Sequence, residues 1–455
     1  MQSQQQHRLR AKTSCSLQQL NAREPSRRFD YEAGSSEHWD PNCEEFECAG
    51  VEFVRHTIQP KGLLLPYYTN APQLIYIIQG SGIHGNVIPG CAETYESGSS
   101  SSYSASSEGE QGEGRRSSGD RHQKLRRFKQ GDILALQPGI THWAYNDGDT
   151  PIITVSFRDV ANEANQLDLK FRKFFLAGNP QATQSQGRER REQEYRRGEE
   201  QEQEQDMGNI FRGFDQEFLA QALNIDREIV RKMQAREDNR GDIVRAERLS
   251  FVLPEEQEQQ QRREGGGYNH NGLEETFCSI NIRQNIDNPS KADVYNPRAG
   301  RVTRLISQKL PILNYLRLSA DRGVLYKNAM MAPHWSVNSH TITYVIRGSA
   351  RIQVVGNQGN TVFDDEVREG QLLVVPQNFA TVKRANEQGF EWVAFRTNDN
   401  AMIGQLAGRL SAIRAMPEEV LMNAYGVSRK DARSLKYNRE ETTLLSPVSK
   451  SGGHA

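Results

Sequence analysis

Ten histidines and five cysteines are the side chains of this sequence best suited to hold a metal or act as nucleophiles. Zinc sites are normally built from closely spaced cysteines, and these five are too scattered for one: Cys15, Cys43, Cys48, Cys91 and Cys278. Ser-His-Asp and Cys-His sets can be drawn from any chain with this many histidines, but no local motif such as G-x-S-x-G supports one. These residues predict no catalytic site.

The cysteines are better interpreted as disulfide partners in an oxidising compartment, with one thiol left over. The first 15 residues, MQSQQQHRLRAKTSC, include no apolar segment of the kind found in signal peptides. If the protein is secreted, we therefore expect that its signal peptide has already been removed.

The stretch from Pro254 to Ile282 divides the chain. A run of Glu, Gln, Arg and Gly without apolar periodicity changes abruptly into apolar alternation, which is typical of a linker that meets a domain. The dipeptide Asn271–Gly272 lies at this boundary, where an exposed loop would be accessible to a protease. Asn-Gly is first of all a turn signal, so a tight turn and a cleavage site both remain open.

Composition limits the classes of protein. A chain of 455 residues with 36% hydrophobic residues and a mean hydropathy of −0.76 predicts two domains separated by solvated tracts. Residues 1–271 carry a net charge of −7 and residues 272–455 a net charge of +6. Balanced charge favours salt-sensitive self-association over nucleic-acid binding, and no apolar run is long enough to cross a membrane.

Short β-branched and aromatic runs broken by turns fill the region between residues 51 and 158, and they predict a small antiparallel barrel or sandwich: VEFVRHTI, GLLLPYY, QLIYIIQGSGIHG, GDILALQPGITHWAYN and PIITVSFRD. Between Glu96 and Leu125 the composition changes to Ser, Gly, Glu and Arg, which predicts a mobile insertion in one barrel loop.

Helical spacing follows each half of the chain. Apolar residues recur three and four positions apart around residues 218–233 and again around 420–435, with Asp226 and Ser428 placed as N-caps. The segment 167–180 likewise has a counterpart at 402–411 that shares Leu-Ala-Gly. Pairs in the same order predict a barrel-plus-helices unit that occurs twice.

The resulting organisation has seven parts: an N-terminal arm at 1–50, barrel 1 at 51–178, a disordered linker at 179–208, a helical extension at 209–253, a second disordered linker at 254–271, barrel 2 at 272–401, and C-terminal helices with a tail at 402–455. We predict a mainly β fold of two tandem barrels, each followed by a small group of α-helices, with disordered acidic inserts.

Both barrels carry sequences that resemble cupin motifs, and the resemblance implies jelly-roll barrels. The cupin motifs G-x5-H-x-H-x3-4-E-x6-G and G-x5-P-x-G-x2-H-x3-N bring three histidines and one glutamate onto a metal. In barrel 1 the matching positions hold Tyr67, Thr69, Gln73 and His142, and in barrel 2 they hold His334, Ser336, Thr341 and Thr381. Each barrel retains one ligand of four, which is too few to hold a divalent transition metal. We therefore predict no metal and no cofactor.

The similarity narrows further to one family. The segments LLLPYYTNAP, IHGNVIPGCAETY, FFLAGNP and above all NGLEETFCSINIRQNIDNP resemble those of the legumin-type (11S) globulins, which are seed storage proteins. The resemblance covers almost the whole chain outside the low-complexity tracts.

This resemblance implies a processing and assembly scheme. An asparaginyl endopeptidase would cleave the bond between Asn271 and Gly272, and a disulfide between Cys91 and Cys278 would join the acidic and basic pieces. A second disulfide would join Cys15 and Cys48, and Cys43 departs from the family pattern. The family's proprotein is a homotrimer that becomes a homohexamer after cleavage, and it travels through the secretory pathway to the protein storage vacuole of seeds.

The expected function is storage of nitrogen, with amide-rich and guanidinium-rich tracts open to proteolysis. We expect the helices at 213–234 and 415–436 to supply apolar faces between protomers, and packing against their own barrels is the alternative. Two other functions are alternatives. An oxalate-degrading bicupin metalloenzyme would need a complete ligand set, and a vicilin-like protein that binds a small ligand would normally lack the Cys91 and Cys278 pair.

Overall fold

The computed structural model describes residues 15, 17–93, 95–96, 121–179, 208–247, 249 and 278–447. Within these residues the chain forms two β-barrels, each followed by short helices, which confirms the predicted fold class. The predicted linker at 254–271 lies outside the described residues, as do the Asn271–Gly272 bond and nearly all of the linker at 179–208 and the insert at 96–125.

Barrel 1 is built from strands whose side chains are mostly buried, and in β3, between Val51 and Ile58, buried side chains alternate with partly buried ones except at the centre of the strand. The strands before residue 286 are β1 Arg27–Tyr31, β2 Gly34–His38, β3 Val51–Ile58, β4 Gly62–Thr69, β5 Gln73–Gln79, β6 Ser81–Val87, β7 Tyr95–Glu96, β8 Arg121–His122, β9 Leu125–Lys129, β10 Asp132–Leu136, β11 Thr141–Tyr145, β12 Ile152–Asp159, β13 Lys173–Phe175, β14 Ile243–Arg245 and β15 Arg283–Asn285. One sheet has the order β1-β2-β3-β12-β5-β10-β15, and the facing sheet has the order β13-β4-β11-β6-β9, with β14 beside β4.

Barrel 2 repeats this plan with longer strands. They are β16 Val294–Asn296, β17 Gly300–Leu305, β18 Ser319–Leu325, β19 Met330–Ser336, β20 Thr341–Val355, β21 Thr361–Arg368, β22 Leu372–Val375, β23 Ala380–Arg396, β24 Ile403–Gln405 and β25 Leu444–Leu445. Strand β20 corresponds to β5 and β6 joined through Gly80. Each barrel turns this corner at a glycine with positive φ, which is Gly80 in barrel 1 and Gly348 in barrel 2. A Cβ on Gly348 would lie 2.2 Å from the carbonyl oxygen of Gly389, so only glycine fits this corner.

The helices are α1 Glu44–Ala49, α2 Gln216–Leu223, α3 Arg227–Gln234, α4 Ile312–Leu316, α5 Ala412–Ala415, α6 Glu418–Tyr425 and α7 Arg429–Tyr437. The predicted cap Ser428 accepts a hydrogen bond from the backbone N–H of Asp431 and so begins α7. The predicted cap Asp226 occupies the N-cap position of α3, but its side chain makes no capping hydrogen bond there. None of the helices in the described ranges combines the length and the apolar character that a bilayer span requires.

A shared aromatic core joins the two barrels. Phe157 of barrel 1 stacks on Phe395 of barrel 2 with ring centroids 5.3 Å apart, and Phe53 stacks on Tyr344 at 5.7 Å. Trp39 closes this cluster and is only 2% exposed. Burial of these rings packs the two barrels against each other as one body.

Each half of the chain also contributes a segment to the other barrel. Strand β15 follows the predicted cleavage site, yet it pairs with β10 of barrel 1, and Ile282 and Ile286 beside it are buried. In the other direction, Leu20 and Arg23 of the N-terminal arm donate backbone hydrogen bonds to Val362 and Leu372 of barrel 2.

These exchanges show where the predicted segment boundaries differ from the structure. The range assigned to barrel 2, 272–401, includes a strand of the barrel 1 sheet. The range assigned to a polar arm, 1–50, includes β1, β2 and α1. The hairpin of β1 and β2 was missed because its residues are mostly polar and give no regular apolar alternation.

Candidate functional site

The four cupin positions of barrel 1 come together at one end of the barrel. His142 on β11 pairs with Tyr67 on β4, and their ring centroids are 4.2 Å apart. Thr69 is the last residue of β4 and Gln73 the first residue of β5 in the facing sheet, and Gln73 Nε2 donates a hydrogen bond to Thr69 Oγ1 at 3.3 Å. All four side chains are buried. The structure therefore brings the four side chains together.

Barrel 2 brings its four positions together in the same way. His334 on β19 pairs with Thr381 on β23, and the Nδ1–H of His334 donates to the carbonyl oxygen of Ala332 at 2.8 Å. Ser336 lies two residues further along β19, and Thr341 begins β20. Hydroxyl groups thus stand at three positions where a metal-binding cupin has imidazole or carboxylate.

A buried arginine contacts residues of each set of positions. Arg158 Nε lies 3.3 Å from Gln73 Oε1, and the side chain is 2% exposed. In barrel 2, Arg396 NH1 donates to Thr341 Oγ1 at 3.1 Å and to Ser336 Oγ at 3.5 Å. Each arginine is the ladder partner of the residue at the glutamate position, so the two guanidinium groups hold equivalent places in the repeat.

The guanidinium groups are held by carboxylates. Arg396 contacts Asp321 through Nε at 2.8 Å and NH2 at 2.7 Å, and both side chains are less than 10% exposed. Arg158 has a longer contact of 3.9 Å with Glu52, and its burial lowers its pKa. A guanidinium is a planar cation with fixed donors, so it satisfies buried oxygen atoms without needing a metal.

A lysine adds a second positive charge inside each barrel. Lys173 lies 4.7 Å from the centroid of the Tyr67 ring and 3.4 Å from Asp242, and burial lowers its pKa to about 8. Lys383 lies 5.0 Å from the centroid of the Trp392 ring and donates to Thr343 Oγ1 at 3.4 Å; burial lowers its pKa to about 7. These charges repel a divalent cation from the positions that a cupin metal would take.

The two retained histidines are neutral. Burial lowers the pKa of both His142 and His334 to about 3. Across the described ranges, no three His, Cys, Asp or Glu side chains are grouped so as to hold a metal ion. One cavity beside His142, lined also by Asn86, Gln137, Ile280 and Ile312, has a volume of about 10 Å³, which is room for roughly one water molecule.

Sequence reasoning missed four interior cations: Arg158, Lys173, Lys383 and Arg396. A usable signal was present for the arginines, because VSFRD and VAFRT place Phe-Arg at the same point of both repeats, inside otherwise apolar strands. The lysines left no such signal, since they occupy different strands in the two barrels.

Two disulfides are present, Cys15–Cys48 and Cys91–Cys278, with Cα–Cα distances of 4.8 and 5.5 Å. They are the pairs that the legumin resemblance implies. Cys43 is a free thiol at the start of α1, where burial raises its pKa to about 11.

Comparison with known proteins agrees with this geometry. The cupin family model matches residues 20–186 and 284–433, which cover the two barrels. Fold and site together define a bicupin whose barrel interiors contain the chain's own cations.

The closer class follows from relatives that match nearly the whole chain. An 11S globulin seed storage protein of Carya illinoinensis is 50% identical over 98% of this chain and 92% of its own length. The solved recombinant pro-11S globulin of pumpkin has a TM-score of 0.79 and 46% identity, covering 96% of this chain and all of that one. The coconut allergen cocosin has a TM-score of 0.80 at 43% identity, covering 95% of this chain and all of cocosin. The chain belongs to the 11S globulin seed storage proteins.

The vicilin alternative is not favoured. A vicilin from Corylus avellana superposes with a TM-score of 0.65, but it is only 14% identical, so the likeness shows a common fold alone.

The buried pair in barrel 2 yields a stability prediction. Replacing Arg396 with Gln leaves Asp321 buried without its partner, and we expect the free energy of unfolding to fall by about 3 kcal/mol. Arg351 pairs with Asp364 on the surface of the same barrel, and Arg351→Gln is the matched control, for which we expect a much smaller loss because water screens this pair. Urea unfolding of both variants measures the difference, and equal losses would contradict a structural role for Arg396.

The free thiol yields a reactivity prediction. Because the thiolate is the reactive form, a Cys43 with a pKa of about 11 reacts with iodoacetamide at pH 8 roughly a hundredfold more slowly than an exposed cysteine. Mass spectrometry of tryptic peptides should show Cys43 unlabelled in the native protein and fully labelled in about 6 M guanidinium. Rapid labelling in the native state would show that α1 does not shield it.

Proposed function

We propose that this chain is a nitrogen reserve without catalytic activity, which assembles first as a homotrimer and, after cleavage between Asn271 and Gly272, as a homohexamer. The observation that carries the proposal is the match to seed storage globulins over 98% of the chain. The sequence supports it, because residues 184–205 consist largely of Gln, Glu and Arg, which are rich in side-chain nitrogen and suited to proteolysis rather than to a core.

The absence of catalysis is supported by the filling of both barrels. An oxalate-degrading bicupin would need imidazoles and a carboxylate around an open metal position. Here Arg158 and Arg396 contact those positions, and hydroxyl, amide and phenol side chains replace most of the ligands.

Assembly as a trimer is supported by the helices that follow each barrel. Leu219, Val230, Leu421 and Ala432 face inward and are at most 8% exposed. Large apolar side chains on the other face of the same helices are exposed in the single chain: Phe218 71%, Leu223 45%, Ile229 46%, Val420 45%, Tyr425 55% and Leu435 52%. Apolar surface on this scale is typical of an interface.

The position of these helices favours a closed ring. One group follows barrel 1 and the other follows barrel 2, so the helices of one protomer can cover those of the next in a head-to-tail contact. Such heterologous contacts close into a ring when the rotation permits, and three copies would leave neither group uncovered.

Charged substitutions on the exposed faces test the trimer. Leu223→Asp and Val420→Asp each place a carboxylate in the proposed interface, so we expect the trimer to dissociate at micromolar concentration. Gln221→Asp and Asn423→Asp are matched controls on exposed positions of the same helices and should remain trimeric. Native mass by multi-angle light scattering distinguishes the species, and an unaltered trimer in both apolar variants would refute the proposed interface.

Processing by an asparaginyl endopeptidase is supported by the disulfide Cys91–Cys278, which would join an acidic piece and a basic piece across the cleaved bond. Loss of the connecting loop is proposed to let two trimer faces meet, in a storage vacuole reached through the secretory pathway. Strand β15 and the arm residues that contact barrel 2 would keep the cleaved pieces packed.

Treatment with the endopeptidase tests the processing step. The chain of 51.6 kDa should run as one band on a non-reducing denaturing gel and as two bands after reduction, and the native mass should double. Asn271→Ala should remain uncut, whereas Asn269→Ala, two residues away, should be cut normally. A single reduced band from the wild type, or cleavage of Asn271→Ala, would contradict the assignment.

A further inference from the structure

We propose that His84 and His142 form an acid-sensitive switch inside barrel 1, which makes barrel 1 open before barrel 2 when the pH falls from about 7 to about 5.

The two imidazoles lie on neighbouring strands and share one buried space. His84 is on β6 and His142 on β11, their ring centroids are 6.0 Å apart, and each side chain is 2% exposed. His142 Nδ1 lies 3.4 Å from the carbonyl oxygen of Ile140. Within the described residues, three ring nitrogens of the pair have no hydrogen-bond partner: Nδ1 and Nε2 of His84 and Nε2 of His142. Buried polar atoms without partners are rare, so the pair needs an explanation.

The charged groups nearest to the pair are positive. Arg126 on β9 is the ladder partner of His84, and it donates to Asn86 Oδ1 at 2.7 Å. Lys173 on β13 and Arg158 on β12 act on His142 from the other side. A proton added to either imidazole would therefore be repelled from both directions.

The remaining titratable groups offer little compensation. Tyr67 on β4 presents its ring to His142, and His56 on β3 is itself buried. The two nearby carboxylates, Asp242 and Glu52, already contact Lys173 and Arg158. An imidazolium at this place would have no counter-ion of its own within the described part of barrel 1.

The direction of the pH effect follows from linkage. Burial lowers the pKa of His142 to about 3 and that of His84 well below its ordinary value of 6.5, whereas an opened barrel restores both. The opened form therefore binds protons first, so stability is complete above about pH 6.5 and is lost as the pH falls below it. Between pH 7 and 5 the opening equilibrium rises by at most about 25-fold for each imidazole, or at most roughly 600-fold for the pair.

Barrel 2 has no such pair. On the β11 side, His84 pairs with Ala144, and the equivalent pair in barrel 2 is Ile352 with Lys383. The place of His142 is taken by Thr381. His334 is buried, but its Nδ1–H donates to the carbonyl oxygen of Ala332 at 2.8 Å. Protonation of His334 alone would raise the opening equilibrium of barrel 2 by at most about 25-fold, so the asymmetry predicts that acid opens barrel 1 before barrel 2.

The consequence for a reserve is ordered release. Mild acid would expose the strands of barrel 1 to proteases while barrel 2 stays closed. This consequence rests on the storage role, but the switch itself depends neither on trimer formation nor on cleavage.

The repeat supplies matched variants for the test. In the double variant His84→Ile, His142→Thr, each histidine is replaced by the residue that barrel 2 has at the equivalent position. The converse variant Ile352→His places an imidazole in barrel 2. Hydrogen exchange of the full chain, read by mass spectrometry at pH 7 and pH 5 and corrected for intrinsic rates, follows β6 and β11 of barrel 1 against β19 and β23 of barrel 2.

We expect the pair to cost barrel 1 of the wild type about two to three orders of magnitude of protection at pH 5. His38 and His56, whose pKa values burial also lowers, add a background loss that the double variant retains. The double variant should lose at least about a hundredfold less protection in barrel 1 than the wild type does. Ile352→His should make the protection of barrel 2 more sensitive to acid. Equal loss in the wild type and the double variant, or prior opening of barrel 2, would overturn the proposal. If the double variant does not fold, NMR titration of the wild-type imidazoles provides the test. Protonation of His84 or His142 above about pH 5 in an intact barrel would also overturn the proposal.

Discussion

The structure depends on a positive charge that the chain places inside each of its own barrels. A jelly-roll of this kind converges polar side chains at one end, and those side chains need a partner when water is excluded. In this chain the partner is a guanidinium: Arg158 meets Gln73, and Arg396 meets Ser336, Thr341 and Asp321. Each arginine belongs to the chain itself and donates hydrogen bonds to these oxygen atoms, so they have a partner without a bound ion.

Much of this architecture was accessible from the sequence because it rests on local patterns. Alternation in VEFVRHTI and GDILALQ predicted strands, three- and four-residue spacing predicted α2, α3, α6 and α7, and the motif glycines located His142 and His334. The interior charges were not accessible. Lys383 lies in a stretch, TVKRA, that reads as solvated strand, and only the fold shows that its side chain points inward against Trp392.

The exchanged segments were missed for a different reason. Nothing in the residues 283–285 indicates which sheet they join, because register is fixed by distant partners such as Asp132, which contacts both Arg283 and Asn285. The same holds for the short polar hairpin of β1 and β2. Internal symmetry guided the prediction well for the barrels, and it misled wherever one half of the chain crosses to the other.

That crossing constrains the order in which the protein can fold during synthesis. The ribosome delivers residues 51–159 early, but β10 keeps an open edge until residues 283–285 emerge, and the arm at Leu20 waits for Val362. An unfilled strand edge is a site for wrong pairing between nascent chains. A cell that makes this protein in quantity must therefore protect the open strand edge of barrel 1 from wrong pairing while roughly a hundred further residues are translated.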